Sequence, residues 1–231
     1  MFFKGVLELM DVKNILFDLD NTLIENQKED ILWYKKALSN LGYDENAYMD
    51  IYNAIDEYTF TLSEENNFYF KKSMLNFINI SLDKNYSIEL IDEINKYIAK
   101  YWISRPFIDE TTLQYLSSKY NLYIFTNWFK DAQAGRLENI GLLKYFKKVF
   151  SPEYYGAKPF KSTFGNVLST LNCKADECVM IGDSKYDDIF GARNVGMNAI
   201  LFNYNGSRDN PDIMVDNYIV INDLKQLQFL L

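Results

Sequence analysis

Residues 14–23 read NILFDLDNTL, an apolar run that ends in two aspartates one residue apart. Near-continuous Ile, Leu and Phe over a few positions marks a strand buried on both faces, as in a parallel sheet. At the end of such a strand the period of two sends Asp18 and Asp20 to one side and Leu19 to the other, so two like charges converge. That arrangement calls for a cation beside them.

Further runs of the same kind occur at LYIFTN (122–127), KVFS (148–151), CVMIGDS (178–184), NAILFN (198–203) and YIVIND (218–223). Helical patterns separate the later ones. Residues 131–140 carry Ala134, Leu137 and Ile140 on one stripe before Gly141, residues 160–171 carry Phe160, Phe164, Val167, Leu168 and Leu171, and residues 186–195 stop at Gly196. Alternation of strand and helix predicts an α/β fold, a Rossmann-like doubly wound parallel sheet. Residues 24–105 break the rhythm. No strand-like run of comparable strength occurs there, and apolar spacing predicts helices over 28–41, 45–61, 64–80 and 87–104, the last with Ile88, Ile91, Ile94 and Ile98 on one face. The expected organisation is therefore a core of residues 1–23 and 106–231 with an all-α helical insertion, 24–105, packed as a small bundle. SRPFID (104–109) is the expected return hinge, because the proline pushes Arg105 out of helical geometry. Residues 1–9 read as an upstream extension and 203–212 as a polar loop.

At 231 residues, 48% hydrophobic and 24% charged, the composition is that of a globular chain with a sizeable core. Basic residues number 24 against 32 acidic ones, a formal charge of −8, which argues against nucleic acid as a partner. Histidine is absent, so Ser-His-Asp triads and His-ligated zinc are excluded and carboxylates and lysines are left to do the chemistry. Cys173 and Cys178 fit reduced thiols without a role. No apolar run has the length of a membrane span and the N-terminus lacks the features of a signal peptide, so no membrane partner and a cytoplasmic location are expected.

In open parallel sheets ligands bind beyond the carboxyl ends of the strands. Those ends deliver Asp18 and Asp20, then Thr126 and Asn127, then Asp183 with Asp187 and Asp188 close behind, while Lys158 follows the 148–151 run in YGAKPF. Asp18, Asp20 and Asp183 form an oxygen-rich set suited to Mg²⁺. Lys158 is placed to counter negative charge on a substrate, and Thr126 and Asn127 supply a hydroxyl, an amide and backbone donors of the kind that hold a phosphate. Each short motif alone is more often a turn or helix-start device. Their order and their common place at strand ends carry the reading.

With FDLDNTL (17–23), IFTN (124–127), AKPF (157–160) and IGDSKYDDI (181–189) in that order, the chain resembles the haloacid dehalogenase-like (HAD) hydrolase superfamily. The resemblance extends to GLLKYFKKVF (141–150) and GARNVGM (191–197), and residues 24–105 fall where that family inserts a helical cap. It implies that Asp18 is a nucleophile that becomes phosphorylated and also binds Mg²⁺. It further implies that Asp20 is the general acid/base and offers its backbone carbonyl to the metal, that Thr126 and Asn127 hold phosphate, that Lys158 neutralises charge, and that Asp183 binds metal. Asp188 aligns best with the supporting second acid of the last motif, with Asp187 as its alternative. An acid at position 20 sets aside relatives that cleave carbon–halogen bonds, because halide leaves without a proton. The implied activity is a Mg²⁺-dependent phosphatase acting on a small phosphorylated metabolite such as a nucleotide or sugar phosphate. The alternatives are a sugar-phosphate mutase of the same fold and a noncatalytic binding domain. Trp33, Tyr34, Phe60, Phe68, Tyr69 and Phe70 fit a bundle core more readily than a ligand-stacking wall.

Overall fold

The computed structural model describes residues 12–25, 31–204 and 218–231. The upstream extension, the first residues of the helix expected from 28, and most of the 203–212 loop lie outside the described residues. Each apolar run becomes a strand: β1 (Asn14–Phe17), β2 (Asn121–Phe125), β3 (Lys148–Phe150), β4 (Cys178–Gly182), β5 (Asn198–Phe202) and β6 (Ile219–Ile221). They form one parallel sheet in the order β3-β2-β1-β4-β5-β6. In this doubly wound order the chain reverses its direction of growth beside the first strand, and a crevice opens there at the carboxyl edge. Phe17 pairs with Ile124 on one side and Ile181 on the other, so whatever follows Phe17 emerges in that crevice.

Between β1 and β2 lie α1 (Leu32–Asn40), α2 (Tyr48–Thr59), α3 (Lys71–Leu82), α4 (Glu89–Tyr101) and α5 (Glu110–Lys119). The first four share a hydrophobic cluster that includes Leu38, Ile51, Ile55, Met74, Ile78, Leu90, Ile94 and Ile98. Later come α6 (Lys130–Asn139), the short α7 (Pro152–Tyr155), α8 (Lys161–Leu171), α9 (Gly191–Arg193) and α10 (Leu227–Leu230). Strand residues alternate between the two faces of the sheet. Ile15, Phe17, Ile124 and Ile181 pack with Leu113, Leu116 and Leu137 of α5 and α6, while Leu16, Phe125 and Met180 pack with Phe164, Val167 and Ala192 of α8 and α9. No helix among the described residues is long and apolar enough to cross a membrane.

Two expectations are corrected and a third is extended. The helix read over 64–80 starts only at Lys71. Residues ahead of it bond to the sheet side instead: Glu64 accepts from the backbone N–H groups of Lys161 (3.0 Å) and Ser162 (2.6 Å) at the start of α8, Ala157 N–H donates to the Asn67 carbonyl (2.7 Å), and Tyr69 N–H to that of Pro152 (3.3 Å). A carboxylate at a helix N-terminus meets unsatisfied donors, which outweighs the local helical tendency of SEENN. The helix read over 186–195 is a π-helical turn, Lys185–Phe190, running into α9. The stripe read on α6 is only part of its buried face: Leu137 is fully buried and Ala134 and Ile140 pack half-buried against the same cluster, but Ala132, Gln133 and Arg136 are buried as well.

Two further contacts tie this helical region to the rest of the chain. A Cβ added at Gly135 would lie 2.7 Å from both the Cβ and the carbonyl oxygen of Ala99, so α4 and α6 meet backbone to backbone, and Asn139 Nδ2 donates to that carbonyl at 2.9 Å. The outgoing and returning chains are also paired with each other. Ile24 and Pro106 form an antiparallel bridge, flanked by bonds from Glu25 N–H to the Arg105 carbonyl and from Phe107 N–H to the Leu23 carbonyl, each 2.8 Å.

Candidate active site

Asp18 N–H donates to the Ile181 carbonyl at 2.9 Å, which carries the β1–β4 ladder one residue past the strand and fixes the side chain in the crevice. Lys158 reaches it there. Its ammonium donates to Asp18 Oδ1 at 2.7 Å and Asp188 Oδ1 at 2.6 Å, with only 2% of the side chain exposed. The lysine is held through its backbone, since Asn127 accepts from Lys158 N–H (2.8 Å) and donates to the Lys158 carbonyl (3.0 Å). Asp188 fits because residue 182 is glycine: a Cβ there would lie 2.1 Å from Asp188 Oδ2, which instead accepts from Ser184 N–H at 3.0 Å. The π-helical turn swings Asp188 inward, an irregularity that recurs at functional sites. Asp183 accepts from Thr22 Oγ1 at 3.3 Å.

Oxygens of Asp18, Asp183 and Asp188 all lie within 4.8 Å of one another. Burial pushes Asp18 up to about 7; Lys158 pulls against this, and the charges of Asp188 and Asp20 add to it. Burial, then the charges of Asp18 and Asp188, push Asp183 up to about 8. Asp187 and Asp188 are raised too, chiefly by burial. Burial alone would lower Lys158, but Asp18 and Asp188 reverse the sign and keep it protonated. One ammonium thus faces Asp18, Asp183, Asp187 and Asp188, and the negative charge is under-compensated. A close set of carboxylate oxygens with excess negative charge fits a hard divalent cation.

Asp20 stands outside that group. Its carboxylate accepts from Arg136 Nη1 at 2.6 Å and from Gln133 Nε2 at 2.7 Å. The cluster of side-chain oxygens is therefore Asp18, Asp183 and Asp188; the expected metal set named Asp18, Asp20 and Asp183, with Asp20 contributing its backbone carbonyl and Asp188 only in support. Arg136 also donates to Gln133 Oε1 (2.8 Å) and to Ser104 Oγ (3.0 Å), and its guanidinium lies 3.5 Å from the Trp102 ring centre. Gln133 Nε2 donates to Thr126 Oγ1 at 2.9 Å. The sequence reading missed Gln133 and Arg136. Of the residues it did name, Asp18, Lys158, Asp183 and Asp188 come together, Asp20 and Thr126 join through Gln133, Asn127 clamps Lys158, and Asp187 lines the adjoining cavity. That cavity measures about 800 Å³. Tyr34, Phe60 and Tyr69 are in its wall, together with Tyr52, Trp102 and Trp128, whereas Trp33, Phe68 and Phe70 are not.

The sequence pattern of the haloacid dehalogenase-like hydrolases matches residues 15–202. The chain belongs to this family. Among its HAD relatives, a glyceraldehyde 3-phosphate phosphatase of Pyrococcus furiosus is 28% identical over 228 residues, covering 94% of this chain and 91% of that protein. A ribulose-1,5-bisphosphate 5-phosphatase of Halopiger xanaduensis is 30% identical over 201 residues, covering 81% and 83%. The crystal structure of a HAD phosphatase from Thermococcus onnurineus superposes with a TM-score of 0.64 at 27% identity, over 95% of this chain and 97% of that one.

Proposed function

We propose that this HAD hydrolase is a Mg²⁺-dependent phosphomonoesterase of small phosphorylated metabolites, working through a phosphorylated Asp18. The observation that carries the reading is the pairing of Asp18 with Lys158 at the switch point while Asp20 is held apart on Arg136 and Gln133. Two carboxylates with different partners suit two different tasks. Relatives described as phosphatases support the reaction class.

Asp18 attacks phosphorus and the ester oxygen departs, which divides one displacement into two easier ones. Lys158 offsets charge on the transferring oxygens without reorganising, since its backbone and ammonium are already fixed. Asp20 enters as the acid, gives its proton to the leaving oxygen and is reprotonated by the water that hydrolyses the acyl phosphate, Arg136 and Gln133 stabilising the carboxylate that exists between the two steps. Asp18, Asp183 and Asp188 are the side chains that would hold Mg²⁺, with the Asp20 backbone carbonyl as a further ligand implied by the family resemblance. When bound, the ion neutralises the carboxylate excess and the phosphoryl charge. Residues 24–105 act as a cap that shuts water out of the site and contacts the leaving group, in one cytoplasmic protein with the 1–23 and 106–231 core.

The test is hydrolysis of a generic aryl phosphate with and without Mg²⁺, together with trapping of the acyl phosphate by hydroxylamine. We expect activity that needs the metal and is abolished in Asp18→Asn. Full activity in Asp18→Asn would sink the reading, phosphate appearing on a second hydroxyl instead of in solution would convert it to a mutase, and silence across a wide phosphoester panel would leave a binding domain.

A further inference from the structure

The cavity beside Asp18 is much larger than a phosphoryl group requires, and its wall selects what the phosphate is attached to. At about 800 Å³ it lies in the range of roughly 300–1,000 Å³ that encloses ligands with a ring system. Its faces are aromatic from both sides. Tyr52 and Tyr34 meet edge to face at 5.7 Å on the helical side, and Phe60, at the end of α2, leaves 81% of its surface uncovered in the same wall. From the sheet side Tyr186, itself 47% exposed and stacked on Phe190 at 5.6 Å, lines the same space.

Charge narrows the class further. The charged residues among the described lining are Asp18, Asp20, Asp56, Asp187, Lys158 and Arg136. Lys158 is engaged by Asp18 and Asp188, and Arg136 by Asp20, so the charge added by the α2 wall is that of Asp56. A second phosphate or a carboxylate on the leaving group would meet like charge there and gain no described cation. A three-carbon alcohol would leave most of the space to water and most of the rings unused.

We infer that the leaving group is an uncharged alcohol bearing a flat π-system, and that the substrates are nucleoside monophosphates. The inference rests on the phosphatase reading above. The base lies against ring faces, a sequence-tolerant contact worth about tenfold or more per stacked base.

The experiment is a Mg²⁺-supplemented kinetic panel on the full chain with purine and pyrimidine nucleoside 5′-monophosphates, glyceraldehyde 3-phosphate, phosphoglycolate, a sugar bisphosphate and acetyl phosphate. Alongside it, free nucleosides are titrated against tryptophan fluorescence, because two of the chain's three tryptophans line the cavity. We expect at least one nucleotide to exceed the triose phosphate in kcat/KM by tenfold or more. Nucleosides should quench the fluorescence, and Phe60→Ala and Tyr52→Leu should each lower the nucleotide to acetyl phosphate kcat/KM ratio by roughly tenfold, mainly through KM. A triose phosphate, phosphoglycolate or bisphosphate preferred over every nucleotide overturns the inference and leaves the phosphatase reading intact. If no phosphoester is hydrolysed, the phosphatase reading fails and the fluorescence titration decides alone: quenching by nucleosides upholds the pocket's selectivity, and its absence removes it.

Discussion

Arg136 gives the sharpest test of the division between Asp18 and Asp20. Its side chain is 1% exposed, whereas Asp20 keeps 28% of its own, so Arg136→Met removes a dry cation and lets water reach the carboxylate it held. Truncating one partner of a fully buried pair costs about 3–5 kcal/mol. With one partner still wetted, a loss of about 1–3 kcal/mol in stability is expected. The kinetic consequence is separable. The 2.6 Å bond from Arg136 to Asp20 is charge-assisted, a type worth about 1.5–3 kcal/mol, and Gln133 alone would then hold the carboxylate. At about 1.4 kcal/mol per decade, proton transfer should slow roughly 10- to 100-fold. That loss applies only where the leaving oxygen needs a proton. The assay compares kcat/KM of Arg136→Met on an alkyl phosphate and on nitrophenyl phosphate, whose phenolate leaves unaided: a large fall on the first and roughly threefold or less on the second is expected. Equal falls on both substrates would mean that Arg136 merely braces the fold, and the assignment of Asp20 to proton handling would lose its basis.

Other consequences are open to measurement. Because burial lifts Asp18 from 3.8 to about 7 and Asp183 to about 8, the native metal-free protein retains protons that the unfolded chain releases; their contribution to stability is full below about pH 4 and is lost as pH rises through 7 to 8. Melting in chelator should therefore show this contribution falling between pH 5 and 8, Mg²⁺ should raise Tm more at pH 8 than at pH 5, and Asp183→Asn should flatten the trend; an unchanged trend in that variant would contradict the argument. Asn127→Ala removes both bonds on the Lys158 backbone and should lower kcat about 10- to 100-fold with little change in Tm. Gly135→Val should drive α4 from α6 and cost about 1–3 kcal/mol in a denaturant titration. Gly165→Ala in α8, whose added Cβ meets nothing within 4 Å, should stabilise by about 0.4–1 kcal/mol.

The sheet was legible because each strand is buried on both faces and announces itself as an unbroken apolar run, and the acids at the strand ends followed from that. Other parts were hidden for identifiable reasons. Helix α5 was not read because its buried face is Thr112, Leu113 and Leu116, too polar to show a period; its start is set by Asp109, which accepts from Thr112 N–H at 2.8 Å. Gln133 and Arg136 escaped because apolar periodicity assigns polar residues to solvent. Both are buried to satisfy one carboxylate, and their spacing of three, just after the IFTN motif, was the available signal. The preference for Asp188 over Asp187 came from the motif alone; the π-helical turn that brings Asp188 onto Lys158 is a backbone irregularity that no pattern of hydrophobicity records.

The bridge between Ile24 and Pro106 bears on how this architecture can be edited. Both ends of the intervening segment lie side by side at an isolated antiparallel bridge, so its removal leaves little distance for a linker to span, and a short hairpin turn could join Ile24 to Pro106. The surface uncovered would be apolar, with Phe129, Ala132 and Ala157 facing water. Substitutions there would have to come with the excision. The register of β1, and hence the place of Asp18, is set by its pairing with β2 and β4 and not by this segment.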